Sequence, residues 1–125
     1  MKIPENYNTV MPYLILEDAN GFLSFSKKLF NAEELQVVMN EDKSVMHGEI
    51  RIGDSTIMFG QSGDQWKPQP AGLYIHVEDC DSSYKKALDL GAESVMVPSD
   101  QSYGRAGGIK DPFGNTWWLT SQLKK

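Results

Sequence analysis

The order strand, helix, strand, strand, strand can be read twice along this chain, and that repetition limits its folds more than any single motif. Ser26-Lys27-Lys28-Leu29-Phe30-Asn31-Ala32-Glu33 is similar to Tyr84-Lys85-Lys86-Ala87-Leu88-Asp89-Leu90-Gly91-Ala92-Glu93. Aligned on their Ala-Glu ends, the two stretches lie sixty positions apart. Few letters are identical, so the shared order of elements carries the inference. In the first copy, Val10–Leu16 is a short apolar run suited to a buried strand. Asp18 can cap the following helix, whose apolar stripe is Phe22, Phe25 and Leu29. Asn31 can end that helix in the left-handed conformation. Strands are then expected at Leu35–Asn40, Val45–Ile52 and Thr56–Phe59, with a tight turn at Gly53-Asp54.

The second copy repeats the order. Leu73, Ile75 and Val77 alternate with Tyr74 and His76 at strand period. Asp79 or Asp81 caps a helix ended by Gly91, and strands follow at Ser94–Val97, Tyr103–Lys110 and Asn115–Ser121. Asp111-Pro112-Phe113-Gly114 has the composition of a type I turn. The polar stretch 61–70 reads as a linker, which sets modules at about 8–60 and 71–122 within one domain. The expected fold is α+β: two βαβββ modules forming paired curved mixed sheets around a cup-shaped cavity, with the helices outside.

Alternation sorts the strand residues by face. Leu14, Leu16, Ile50, Ile52, Ile57, Phe59, Leu73, Ile75, Val77, Trp117 and Leu119 are expected beneath the helices. Met11, Tyr13, His47, Glu49, Met58, Tyr74, His76, Thr116 and Trp118 are expected to face the cup. That second set mixes aromatic, thioether and polar groups, as cavity linings do.

At 125 residues the chain is long enough for one sizeable core. Its formal charge of −5 disfavours nucleic acid and anionic membranes as partners. The single cysteine, Cys80, excludes an internal disulfide and fits a reducing compartment. Met1–Asn8 lacks the pattern of a signal peptide, and no apolar run approaches bilayer length, so a cytoplasmic location is expected.

His47 and His76 are the only histidines. His47 can act as a general base oriented by Glu49, or it can be a half-buried imidazole simply satisfied by Glu49. Arg51 shares their face and suits a cross-strand charge pair at a sheet rim. Arg105, between Tyr103-Gly104 and Gly107-Gly108, can clamp an anionic ligand or tie down a loop. Trp118, Tyr13 and Tyr74 offer rings to a planar ligand, with His76 beside them. Trp66, in the polar linker, can anchor a lid or a dimer contact. Cys80 has no partner residue that would make it reactive.

These residues resemble the vicinal oxygen chelate superfamily, which holds glyoxalase I, bleomycin- and fosfomycin-resistance proteins and extradiol dioxygenases. The resemblance is carried by Glu17-Asp18-Ala19, by His47 through Ser55, by Val77 through Asp81, by Tyr103-Gly104-Arg105 and above all by Asp111 through Leu119. It spans nearly the whole chain and is nearest to the PhnB-like branch. The resemblance implies a divalent metal held by His, Glu or Gln on the first and last strand of each module. Those positions fall here on Met11, Met58, Gly72 and Trp118, which offer no hard donor, so neither metal nor other cofactor is expected. It also implies a homodimer. The function expected is metal-independent binding of a small molecule in the manner of bleomycin-resistance proteins. The alternative is a lyase, isomerase or dioxygenase-type enzyme with His47 as general base and Glu49 orienting it. Ligand contacts are expected from Tyr13, Tyr74, His76, Arg105 and Trp118.

Overall fold

A computed structural model describes residues 1–124. The chain divides into two compact units, Met1–Pro70 and Ala71–Lys125. The first contains β1 (Tyr13–Leu16), α1 (Ala19–Phe30), β2 (Glu33–Met39), β3 (Val45–Ile52) and β4 (Ser55–Gln61). The second contains β5 (Gly72–His76), α2 (Cys80–Asp89), β6 (Glu93–Gln101), β7 (Gly104–Lys110) and β8 (Thr116–Ser121). Each unit is one four-stranded mixed sheet, ordered β1-β4-β3-β2 in the first and β5-β8-β7-β6 in the second. In both, the first and last strands pair in parallel and the rest are antiparallel. The fold is thus α+β with two βαβββ sheets.

The helices form where the sequence places their caps. The Asp18 carboxylate accepts from the Gly21 amide at 2.9 Å, and Asn31 closes α1 at φ 56°. Asp79 caps α2 through the Ser82 amide at 3.2 Å, and Gly91 follows at φ 101°, a conformation that favours glycine. In the first unit Phe22, Phe25 and Leu29 are buried together with Leu14, Leu16, Ile50, Ile57 and Phe59. The Phe22 and Phe59 rings meet edge to face at 5.1 Å. In the second, Trp117, Leu119 and Ile109 are buried with Cys80 and Ala87 of α2. Leu73, Ile75 and Val77, expected beneath a helix, are only half covered.

Several strand boundaries differ from the sequence reading, among them that of β2, which begins at Glu33 rather than Leu35. β1 begins at Tyr13 rather than Val10, because Pro12 has no amide to donate and gives only its carbonyl, to Met58. β6 runs on through Pro98 to Gln101, which its place at the sheet edge permits. β4 extends through Gln61, and the segment after it is tied to the first sheet. Ser62 donates to the Leu16 carbonyl at 2.8 Å, and Gln69 exchanges backbone hydrogen bonds with Ile15.

The turn at Asp111 has a core of its own. Its buried carboxylate accepts from the amides of Phe113 and Asn115, from Asn115 Nδ2 and from Trp117 Nε1, each at 2.9 Å. The Asn115 side chain in turn accepts from Ala71 at 2.9 Å. Asp111 therefore fixes both the hairpin and the indole at the centre of the second unit.

Candidate functional site

The face of the first sheet turned away from α1 carries a continuous chain of hydrogen bonds. Strand alternation puts His47 and Glu49 on that face, and register sets Glu49 beside Met58 and Met58 beside Tyr13. The Tyr13 phenol oxygen lies 3.0 Å from His47 Nδ1, and His47 Nε2 lies 2.7 Å from Glu49 Oε2. Tyr7 donates its phenol proton to the same oxygen at 2.7 Å. An ionised carboxylate only accepts, so Nε2 carries a proton, and in the neutral imidazole Nδ1 accepts from Tyr13.

Glu49 is 4% exposed. Burial alone would raise its pKa, but hydrogen bonds from His47 and Tyr7, with the charge of His47, outweigh burial and hold it below the ordinary carboxylate range. The Tyr7 phenol is pushed up, first by its bond to Glu49 and then by burial and the carboxylate's charge.

A strap formed by the N-terminal residues completes this end of the sheet. The Asn6 carbonyl accepts from Arg51 Nη1 at 3.0 Å and from the Thr56 hydroxyl, and Asn8 Oδ1 accepts from the Thr56 amide at 3.0 Å. Arg51, expected in a cross-strand charge pair, instead holds a backbone carbonyl. The strap brings the Asn6 carbonyl within its reach, and Thr56 Oγ1 lies 3.3 Å from the same guanidinium nitrogen.

Beside the hydrogen-bonded chain lies a cavity of about 710 Å³, within the range of small-molecule pockets. Tyr13 and Ile15 line it from β1, Met46 and His47 from β3, and Gly60 and Gln61 from β4. Asn40, Trp66 and Gln69 close it from the connecting segments. Gln61 is fixed by accepting from the Ala19 amide at 3.1 Å and donating to the Glu17 carbonyl. Gly60 has no room for a side chain, since a Cβ there would stand 2.5 Å from the Met46 carbonyl and 3.9 Å from the Tyr13 hydroxyl.

The other expected site residues lie in the second unit. Tyr74 and His76 sit on β5 with rings 5.3 Å apart, and Tyr74 is in register with Trp118 on β8. Trp118 spreads over Gly108, where a Cβ would come within 2.8 Å of its ring. Arg105 is engaged by carboxylates. Its Nε and Nη2 reach both oxygens of Asp81 at 3.0 and 3.2 Å, and Nη1 reaches Asp100 at 3.2 Å. Those hydrogen bonds hold the guanidinium well above its ordinary pKa. The 240 Å³ hollow around it is also lined by Asp79 and Lys124, which pair at 3.5 Å, so its two cations are already matched by carboxylates. Cys80 is buried with its thiol toward the Leu119 carbonyl, and burial, then Asp81, pushes the thiol's pKa up.

Of the expected residues, Tyr13, His47 and Glu49 are thus brought together, while Tyr74, His76, Arg105 and Trp118 stand on the second sheet. Tyr7, Asn40, Met46, Gln61 and Gln69 escaped the sequence reading. Tyr7 had one signal, as the lone aromatic residue in an otherwise polar N-terminal stretch.

Residues 8–119 match the sequence profile of the Glyoxalase/Bleomycin resistance protein/Dioxygenase superfamily. The chain belongs to that superfamily. An uncharacterized protein of Mycobacterium bovis is 31% identical over 126 residues, covering 91% of this chain and 83% of its own length. Among solved structures of the same fold is the PhnB protein from Bacillus cereus (TM-score 0.75, 19% identity, 91% of this chain and 99% of that one). TioX from Micromonospora sp. ML1 is similar too (TM-score 0.74, 18% identity, 93% and 100%). So is the fosfomycin resistance protein FosX from Listeria monocytogenes (TM-score 0.73, 21% identity, 93% and 94%).

The superfamily's divalent metal does not fit the residues at its carried-over positions. Met11 precedes β1, Met58 lies on β4, Gly72 on β5 and Trp118 on β8. Thioethers, a bare backbone and an indole are poor ligands for a hard divalent ion. Among the described residues no three of His, Cys, Asp and Glu are gathered as a metal site. No helix among them is long and apolar enough to cross a membrane.

Proposed function

We propose that the chain is a small-molecule-binding protein of the superfamily that works without the family's metal, in the cytoplasm and as a homodimer. The carrying observation is the cavity of about 710 Å³ beside Tyr13 and His47. Its aromatic, thioether and carboxamide lining is what a ligand pocket needs, namely apolar contact with a few polar groups to fix orientation. The bare donor set at Met11, Met58, Gly72 and Trp118 supports metal independence. Exposed Tyr74, Val97 and Trp118 in the second unit offer apolar surface for a second copy.

Thermal-shift screening of neutral, anionic and cationic small molecules tests the binding reading. A ligand at a hundred times its Kd stabilises the folded state by about 2.7 kcal/mol, a readily measured rise in Tm. Absence of any such ligand from a broad screen contradicts the reading. Near-stoichiometric Ni, Zn, Fe or Mn in the purified protein contradicts metal independence, and a monomeric mass by light scattering contradicts the dimer.

A second reading has its own support. The Tyr13–His47–Glu49 chain is the arrangement of a general base held by a carboxylate. Under this reading the protein is a lyase, isomerase or dioxygenase-type enzyme, and His47→Ala abolishes turnover while barely changing ligand affinity.

A further inference from the structure

The hydrogen-bonded chain of the first unit ends on an open phenol, and this specifies what the cavity can hold. Resting on the binding reading above, we infer that the cavity takes a weakly acidic phenol or enol as its oxyanion, with Tyr13 donating to the ligand oxygen and His47, bonded to Glu49 through Nε2, taking the displaced proton on Nδ1.

The lining supplies the first argument. In a chain with 23% charged residues, none of the nine lining residues is Asp, Glu, Lys or Arg. His47 is therefore the one lining side chain with a basic nitrogen. Trp66, Met46 and Ile15 add apolar surface suited to a flat, uncharged body. An un-ionised aromatic acid can enter such a cavity without leaving a permanent charge unmatched.

The geometry supplies the second. His47 faces Glu49 and Tyr13, Tyr7 donates to the same Glu49 oxygen, and the cross-strand neighbour of His47 on β2 is the uncharged Val38. With Nε2 already directed at Glu49, the ring can gain a proton only on Nδ1, the atom facing the Tyr13 oxygen. The transfer balances in one concerted shift. The ligand O–H bond breaks and its proton goes to Tyr13 Oη as the Tyr13 proton moves to Nδ1. The ligand keeps the electron pair as an oxyanion, and the imidazolium faces a carboxylate already in place. Tyr13 is half exposed and lines the cavity. No metal is needed to stabilise the oxyanion, which the methionines could not supply.

The probe is meta-nitrophenol, whose anion absorbs visible light, used at a pH where the free compound is mostly un-ionised. Its uncharged analogue meta-nitroanisole serves as the proton-free control. Binding is measured by equilibrium dialysis and ionisation by absorbance, with wild type, Tyr13→Phe and His47→Gln. The expected result is a saturable rise in bound phenolate, roughly tenfold in the phenolate-to-phenol ratio for each unit by which the site favours ionisation. Both variants should lose the absorbance rise while still binding nitroanisole, which also shows that their cavity is intact. Nitrophenol bound with the spectrum of the un-ionised compound overturns the inference and leaves the pocket standing. An unchanged rise in Tyr13→Phe and His47→Gln overturns it as well. If neither compound binds wild type, both the inference and the binding reading fall.

Discussion

The two units share one topology and nearly one register, yet their corresponding residues do opposite work. Tyr13 pairs with Met58 in the first unit as Tyr74 pairs with Trp118 in the second. One strand further, Met58 faces Glu49 where Trp118 faces Gly108. Two residues back along those strands, the first unit has His47 and the second has Ala106. The first sheet thus spends this face on a buried carboxylate, an imidazole and an open cavity. The second fills the same positions with glycine, alanine and a broad indole. A scaffold specifies where side chains stand, and the chemistry follows from three or four substitutions on it.

This contrast can be broken at several points, and the largest effect is expected in the second unit. Asp111→Ala removes the acceptor for three buried donors and one part-buried donor at once. Leaving buried donors unmet costs about 1–3 kcal/mol each when nothing replaces the partner. Denaturant unfolding should therefore show a loss of several kcal/mol, and a loss below about 1 kcal/mol would show that Asp111 does not anchor the unit.

In the first unit, Glu49→Ala strips both Tyr7 and His47 of their acceptor. A loss of about 2–4 kcal/mol is expected by chemical denaturation. The pH dependence has a definite sign. Because the folded carboxyl sits below its ordinary value of 4.5, its contribution is complete above that value and is lost as pH falls through the folded pKa. Glu49→Gln should flatten this acid limb, and an unchanged limb would place the acid sensitivity elsewhere.

A smaller effect is expected at the strap. Tyr7→Phe removes one hydroxyl and leaves Glu49 bonded to His47, so Tm should fall less than in Glu49→Ala while the strap's amides exchange faster. The smallest concerns Gly108→Ala, whose Cβ would lie 2.8 Å from the Trp118 ring. That ring is partly exposed and can tilt away, so a cost of about 1 kcal/mol and a shifted indole emission are expected. No change in emission would mean that Trp118 does not pack on Gly108.

Much of the fold was legible because its signals are local. Asp18, Asn31, Asp79 and Gly91 mark helix ends through their own backbone chemistry, and alternation sorted Leu14, Ile50, Phe59, Trp117 and Leu119 from Tyr13, His47, Tyr74 and Trp118. The site was legible only in part. That His47 and Glu49 share a face follows from strand period. That Tyr7 reaches Glu49 depends on a contact forty-two residues away, which no local pattern encodes. Glu49 was expected at the cup face as the group that orients His47, and its bond to Tyr7 of the strap was not foreseen. Arg105 lies between the two cases, since Asp100 is five residues away across the same hairpin while Asp81 is twenty-four away.

The central claim is that the first unit, through His47, holds an organised polar chain at its cavity. With two histidines in the protein, nitrogen-resolved NMR of the imidazoles tests this directly, using a His76→Ala variant for assignment. The account predicts that His47 in its neutral form is the Nε2–H tautomer, with a hydrogen-bonded Nε2 proton protected from solvent exchange, while exposed His76 averages between tautomers. In the ligand-free protein, a neutral His47 ring protonated on Nδ1, or one exchanging as freely as His76, would contradict it.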